Sequence, residues 1–250
     1  MNADRRTAVT AGVLFLVTEV AAIAGAVLYR PLLGGDGGGA ADQRAVLGAL
    51  CELVLVAAVA GTGVTLYPLV RRWGEGAALG YVCARLLEAV AILLGIVAVL
   101  TLATLRRDAA DPGAVDAVGA ALVAVHDWTF LLGPNIALGV NTALLAGLMY
   151  RSRLVPRPIA VLGLVGGPLI CASAVAVMSG LYAQLSVPGS VAALPVFAWE
   201  LALAGRLLLR GFRPEALRWR IDSPPAGDPE PARQPSTITS GSSRGPASAW

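Results

Sequence analysis

Apolar residues in this chain run on in unbroken stretches, separated by short polar punctuation, and do not alternate with polar ones. Six stretches are long enough to cross a bilayer: Thr7–Tyr29, Ala45–Tyr67, Ala77–Leu105, Asp127–Tyr150, Ile159–Tyr182 and Val191–Leu209. A spanning helix needs about 20 apolar residues for a hydrocarbon core about 30 Å thick. Inside that core every backbone N–H and C=O must be paired within the protein, so a span is a helix or part of a closed barrel. A barrel strand would alternate over about ten residues. Continuous runs therefore predict helices, and the third is long enough to tilt or to project past the bilayer. The expected fold is an all-α, polytopic transmembrane bundle of about six spanning helices.

The connections carry the turn formers. Pro31 to Asp42 reads as a Gly-rich loop with GGDGGG at Gly34–Gly39. Arg71 to Gly76 is a tight turn, and Arg151 to Pro158 a basic, Pro-containing one. Ala114 to Val125 reads as a short amphipathic helix leading into the fourth span. Gln184 to Ser190 is short and uncharged. After Phe212 the composition changes, and Pro224 to Ala249 is mostly Pro, Ser and Gly with scattered charge. Such a segment cannot bury enough apolar surface to order itself. The expected organisation is a bundle over residues 1–212 and a disordered cytoplasmic tail over 213–250.

Composition narrows the class. Of 250 residues 56% are hydrophobic and only 14% charged, against about 25% charged in soluble domains. That excludes an ordinary soluble domain, a collagen and a disulfide-rich module. The net charge of +3 suggests nucleic acid, but the basic residues form short clusters between apolar runs, so no nucleic-acid partner is expected. All 19 basic residues are arginine. With the richness in Ala, Gly and Val, this resembles the coding bias of a GC-rich bacterial genome, and the expected location is a bacterial cytoplasmic (inner) membrane. With the N-terminus inside, nine arginines mark the cytoplasmic ends (Arg5, Arg6, Arg71, Arg72, Arg151, Arg153, Arg157, Arg210 and Arg213) and four the outer loops (Arg30, Arg44, Arg106 and Arg107). Cytoplasmic loops are the Arg-rich ones, which favours N-in and C-in. The first apolar run exceeds a signal-peptide core of 7–15 residues, so it reads as a retained span. Cys51, Cys83 and Cys171 lie in apolar runs without CxxC spacing and read as small buried residues.

Charge inside hydrocarbon costs at least roughly 2.5–3.5 kcal/mol on insertion scales, so each embedded charge needs a partner, a proton or water. Glu19, Glu52, Arg85, Glu88 and Glu200 lie well inside the spans, with His126 and Asp127 nearer an end. Arg85 and Glu88 are three residues apart and share a helix face. Four glutamates face one clearly embedded arginine, so some must be protonated, hydrogen-bonded or hydrated. The fourth span adds Gly133-Pro134-Asn135 and Asn141-Thr142. At about 100° per residue, Asp127, Asn135, Asn141 and Thr142 share one arc, which should face the bundle. Pro134 removes a donor and should kink the helix, freeing a carbonyl near Phe130. The plainer reading is that these polar residues only glue helices, at about 0.6 kcal/mol per contact. Gly139, Ala143 and Gly147, and a GxxxG at Gly163 and Gly167, are packing signals of the same kind. Four mid-span carboxylates exceed what packing alone needs.

Several chemistries are excluded. One histidine cannot make a bis-His haem or a multi-His zinc site, and no GxSxG, Walker loop or GxGxxG strand–turn–helix occurs. No cofactor or metal is expected. The opening RRTAVTAGVLFLVTEVAAIAGAVLY, the block ALCELVLVAAVAGTGVTLYPLVRRWGEGAALGYVCARLLEA, and VHDWTFLLGPNIALGVNTALL with YRSRLVPRPIAVLGLVGGPL together resemble the bacterial domain of unknown function 4386 family. The resemblance covers about Arg5 to Phe212 and implies a polytopic integral membrane protein, without a substrate or catalytic residue. The leading expectation is a small transporter or solute- or ion-binding bundle with a carboxylate-lined polar core. Its partners would be the lipid bilayer and a proton, cation or small solute, in an oligomeric state the sequence leaves open. Its candidate residues are Glu19, Glu52, Arg85, Glu88, His126, Asp127, Asn135, Asn141 and Glu200. Two alternatives are a structural or partner-binding membrane subunit and a membrane enzyme acting on a lipid-phase substrate.

Overall fold

Each apolar run becomes a helix in the computed structural model, which describes residues 3–35, 39–108 and 112–218. The helices are α1 (Ala3–Leu33), α2 (Gly39–Val70), α3 (Glu75–Asp108), α4 (Pro112–Leu131), α5 (Leu138–Ser152), α6 (Arg157–Met178) and α7 (Val187–Leu209), with a short α8 (Pro214–Arg218). A π-helical turn, Leu132–Ala137, joins α4 to α5. The two helices and the turn make one crossing, so the bundle has six crossings long and apolar enough to span a membrane. No strand occurs among the described residues. The chain is a multi-pass membrane protein in contact with lipid.

The helices outrun the apolar stretches, because a helix can continue through polar residues once its middle is buried. The loop expected over Pro31–Asp42 is correspondingly shorter. Pro31 sits in the last turn of α1, and α2 starts at Gly39. Arg106 donates to the Leu32 carbonyl at 2.8 Å, satisfying one open end of α1. Gly35, at φ +89°, takes the left-handed conformation that ends the helix. The middle of GGDGGG, residues 36–38, lies outside the described residues. Ala114–Val125 is not a separate amphipathic helix but the continuous beginning of the fourth crossing. The fifth crossing stops at Met178, short of Tyr182, where Gly180 turns the chain at φ +75°. Ser186 then caps α7, with Pro188 in its first turn.

Consecutive crossings pack antiparallel, α7 returns to α1, and α3 lies centrally against α2, α4 and α5. At the end that carries the N-terminus, Phe15, Leu66, Tyr81, Met149, Trp199 and Leu203 belong to a dense apolar plug. Toward the other end a second cluster, including Leu32, Ala49, Ile92 and Leu102, zips α1, α2 and α3 together. Small residues bring α5, α6 and α7 close. A Cβ on Gly167 would lie 2.9 Å from the Ala143 backbone nitrogen and also against the Gly139 carbonyl. A Cβ on Gly163 would meet Ala146 and Trp199, each at 2.7 Å. Gly147 meets only ordinary contact, at 3.9 Å from Leu164.

At the terminal end Arg5 donates to the carbonyls of Leu207 and Leu208, at 2.8 and 2.6 Å, fastening α1 to the end of α7. Packing continues past Phe212 into α8, where Ala216 is buried and Arg213 N donates to the Leu154 carbonyl at 2.9 Å. The Pro224–Ala249 segment lies outside the described residues.

Candidate functional site

The site begins with the one-turn spacing on α3. Arg85 and Glu88 project from the same helix face toward the bundle centre, where they are 2% and 4% exposed. Arg85 Nη1 meets Glu88 Oε2 at 3.2 Å, and Nη2 meets Glu200 Oε1 of α7 at 2.8 Å. The planar guanidinium offers several donors in fixed directions, so one arginine can hold carboxylates from two helices. It also lies over the rings of Phe15 and Tyr81, at 5.3 and 5.9 Å, which favours a buried cation. Asn141 of α5 donates Nδ2 to Glu88 Oε2 at 2.7 Å. Four buried polar side chains from α3, α5 and α7 thus form one network. Ionic groups this deep are tolerated only when paired and hydrogen-bonded.

A cavity of about 360 Å³ stands on this network. It runs from Arg85, Glu88 and Glu200 toward the end away from the termini, where Gln184 and Leu185 of the α6–α7 loop line it. Glu19 of α1, half-buried, lines its wall, as does Glu200. Glu52 of α2 is 7% exposed and lines it from another side. A second chamber of about 590 Å³ continues outward. The two share Ala26, Glu52, His126, Phe130, Gln184 and Leu185, which form the constriction between them.

Glycines position two of these groups. A Cβ on Gly25 of α1 would fall 2.8 Å from Glu52 Cγ, and one on Gly48 of α2 would fall 2.6 Å from the Tyr29 ring. Glu52 and Tyr29 therefore each lie over a bare patch of the facing helix. His126 stands edge-on to Tyr29 at 5.8 Å and stacks with Phe130 at 6.4 Å. Its Nδ1 lies 3.2 Å from Asp127 Oδ1.

The fourth crossing departs from the even spiral that the sequence suggests. Pro134 supplies no N–H to the turn before it. The Asn135 side chain donates to the Phe130 carbonyl instead, at 3.3 Å, and the backbone widens to a π turn in which Leu138 N reaches Gly133 O. A wider turn shifts the register of all that follows. Asn141 and Thr142 are consequently buried and Asn135 lines the inner chamber, but Asp127 is not on their face. Its side chain is 63% exposed and reaches only the outer chamber. One common arc for Asp127, Asn135, Asn141 and Thr142 is therefore corrected by the π turn.

The structure brings Glu19, Glu52, Arg85, Glu88, His126, Asn135 and Glu200 to the inner chamber, with Asn141 beneath it. Tyr29, Phe130 and Gln184 were not singled out from the sequence. Tyr29 reads there as an interfacial aromatic, Phe130 as core, and Gln184 as the polar member of a short loop. Cys171 is half-buried, and its thiol approaches the π-turn carbonyl of Ile136 at 3.6 Å. Cys83 is exposed on α3, unlike the buried position expected for it. Among the described residues no three His, Cys, Asp or Glu side chains are grouped to hold a metal ion.

Fold and site together define a six-crossing helical membrane protein with an ion-pair network at mid-depth and a polar-floored cavity above it. The chain belongs to the family described as Domain of unknown function (DUF4386), whose sequence pattern matches residues 10–211. No curated protein and no solved structure matches it.

Proposed function

We propose that the protein is a small transporter of a bacterial cytoplasmic membrane, N-in and C-in, which binds a solute in this cavity and exchanges it for a proton. The observation that carries this reading is the cavity itself: Glu19 and Glu52 line its wall without an ion pair, above a floor where Glu88 and Glu200 share one guanidinium, Arg85. A carboxyl without a cation partner in such a wall needs a proton or another positive charge beside it, so the two can be exchanged. The apolar plug seals the floor from the terminal end, while the chambers lead to the opposite end. This is the geometry of one side-open state in alternating access. With the termini inside, that state faces outward.

The test is proton flux in proteoliposomes that hold a pH-sensitive dye, driven by gradients of small cationic, anionic and neutral solutes. At least one class should drive proton movement, and Glu19→Gln and Glu88→Gln should abolish it. Absence of flux with every class, or flux indifferent to both variants, overturns the proposal.

A further inference from the structure

We infer that the ligand of the inner chamber is a small amphipathic organic monocation, such as an aryl-substituted ammonium, held by Glu19 and Glu52. This rests on reading the cavity as a solute site and names the class of solute. Arg85 is committed to Glu88 and Glu200. Glu19 and Glu52 are left on the walls with no ion pair to any basic side chain among the described residues. Glu52 is 7% exposed yet lines both chambers. The Tyr29 hydroxyl, which lines the outer chamber with Glu52, is buried without a well-formed hydrogen bond. A cavity wall that carries surplus carboxylate calls for a positive guest.

The rest of the wall decides what kind of cation fits. Between the two carboxyls it is apolar, with Ala22, Ile23, Leu55, Phe130 and Phe197. Among the described residues no three His, Cys, Asp or Glu side chains are grouped to hold a metal ion, so an inorganic cation finds no ligand cage here. An anion would meet surplus negative charge. An ammonium on an apolar body uses both halves of the lining: carboxylates for the charge, and the apolar side chains, Phe130 and Phe197 among them, for burial of its body. The volume of about 360 Å³ falls in the range of small-molecule pockets, about 300–1,000 Å³.

The experiment is calorimetric titration of the purified full chain in detergent with three probes of similar shape: benzyltrimethylammonium, its neutral carbon isostere neopentylbenzene, and benzenesulfonate. The cation should bind, more weakly as pH falls, because protons then compete for Glu19 and Glu52. Glu52→Gln and Glu19→Gln should each weaken it roughly tenfold or more. Ala193→Phe, which fills the chamber without changing charge, should abolish binding while the protein stays monodisperse. The inference is overturned if the cation does not bind, if neopentylbenzene binds as tightly, or if both Gln variants, still monodisperse, bind the cation like the native chain. Binding of benzenesulfonate that Ala193→Phe abolishes would sink the cation assignment and leave the cavity standing as a solute site.

Discussion

A guanidinium with 2% of its surface exposed is not held by hydration, so Arg85 keeps its place only while Glu88 and Glu200 face it. Removing one member of a buried ion pair leaves an uncompensated charge and costs about 3–5 kcal/mol. Arg85→Met should therefore lower the Tm of the detergent-solubilised protein by at least about 6 °C, at about 2–4 °C per kcal/mol for a chain of this size. Adding Glu88→Gln and Glu200→Gln to Arg85→Met should recover most of that loss, because no charge then remains to be matched. Equal destabilisation in the triple variant would mean that packing over Phe15 and Tyr81, and not charge, is what Arg85 supplies. Glu19 lies outside the ion pairs, and Glu19→Gln should shift Tm by under about 2 °C, within the range of one solvated-edge substitution. The same substitution that silences flux should thus leave the fold nearly untouched, which separates a working group from a supporting one.

Among the elements, the fourth crossing joins local chemistry to the cavity wall. Phe130's carbonyl loses its backbone donor to Pro134 and accepts from the Asn135 side chain. Asn135→Leu should cost about 1 kcal/mol, the worth of a part-buried hydrogen bond. Pro134→Ala restores an N–H to that turn, so Pro134→Ala with Asn135→Leu should cost less than the two changes summed. Simple additivity in thermal unfolding would show that the side-chain bond is incidental. The six crossings and the Arg85–Glu88 face could be read from the chain, since unbroken apolar runs and three-residue spacing survive any tertiary arrangement. Asp127 could not, because an even 100° spiral carries no sign of the π turn, and one wide turn moves everything beyond it. Helix ends were misplaced for another reason: Pro31 and Gly39 are loop formers locally, yet the packing of α1 against α2 carries helix through both. The GxxxG at Gly163 and Gly167 was readable as close packing, but not its double use. Gly167 meets α5, whereas Gly163 lies between α5 and Trp199 of α7. Gly163→Leu should accordingly loosen both contacts and broaden the unfolding transition, while Gly147→Ala, with only ordinary contact at hand, should leave it unchanged.

Across the whole molecule the two apolar clusters and the cavity make the bundle asymmetric along the membrane normal. The end that holds Arg5, Leu154 and Phe212 is sealed by close packing and by backbone-capping bonds. The other end is joined chiefly along α1, α2 and α3, and the chambers separate that sheaf from α6 and α7. A bundle closed at one end and cleft at the other can rock about its closed end, and the α6–α7 loop with Leu185, 90% exposed, is the piece that would ride over the mouth. Orientation gives this asymmetry its direction. If the Arg-rich ends are cytoplasmic, as proposed, the mouth faces out. Ser190, on the chamber wall, and Asp127, on the outer chamber, then become reachable from outside the cell, while Arg72 does not. In a background with Cys51, Cys83 and Cys171 replaced by Ala, Asp127→Cys and Ser190→Cys should react with a membrane-impermeant maleimide in intact cells. Arg72→Cys should react only after permeabilisation. Benzyltrimethylammonium should slow labelling at Ser190→Cys but not at Asp127→Cys, because only the former lines the inner chamber. The reverse pattern of access would turn the molecule over in the membrane and make the cleft an inward-facing one. Ser190→Cys unreactive from either side would mean that the mouth is closed in the native bilayer.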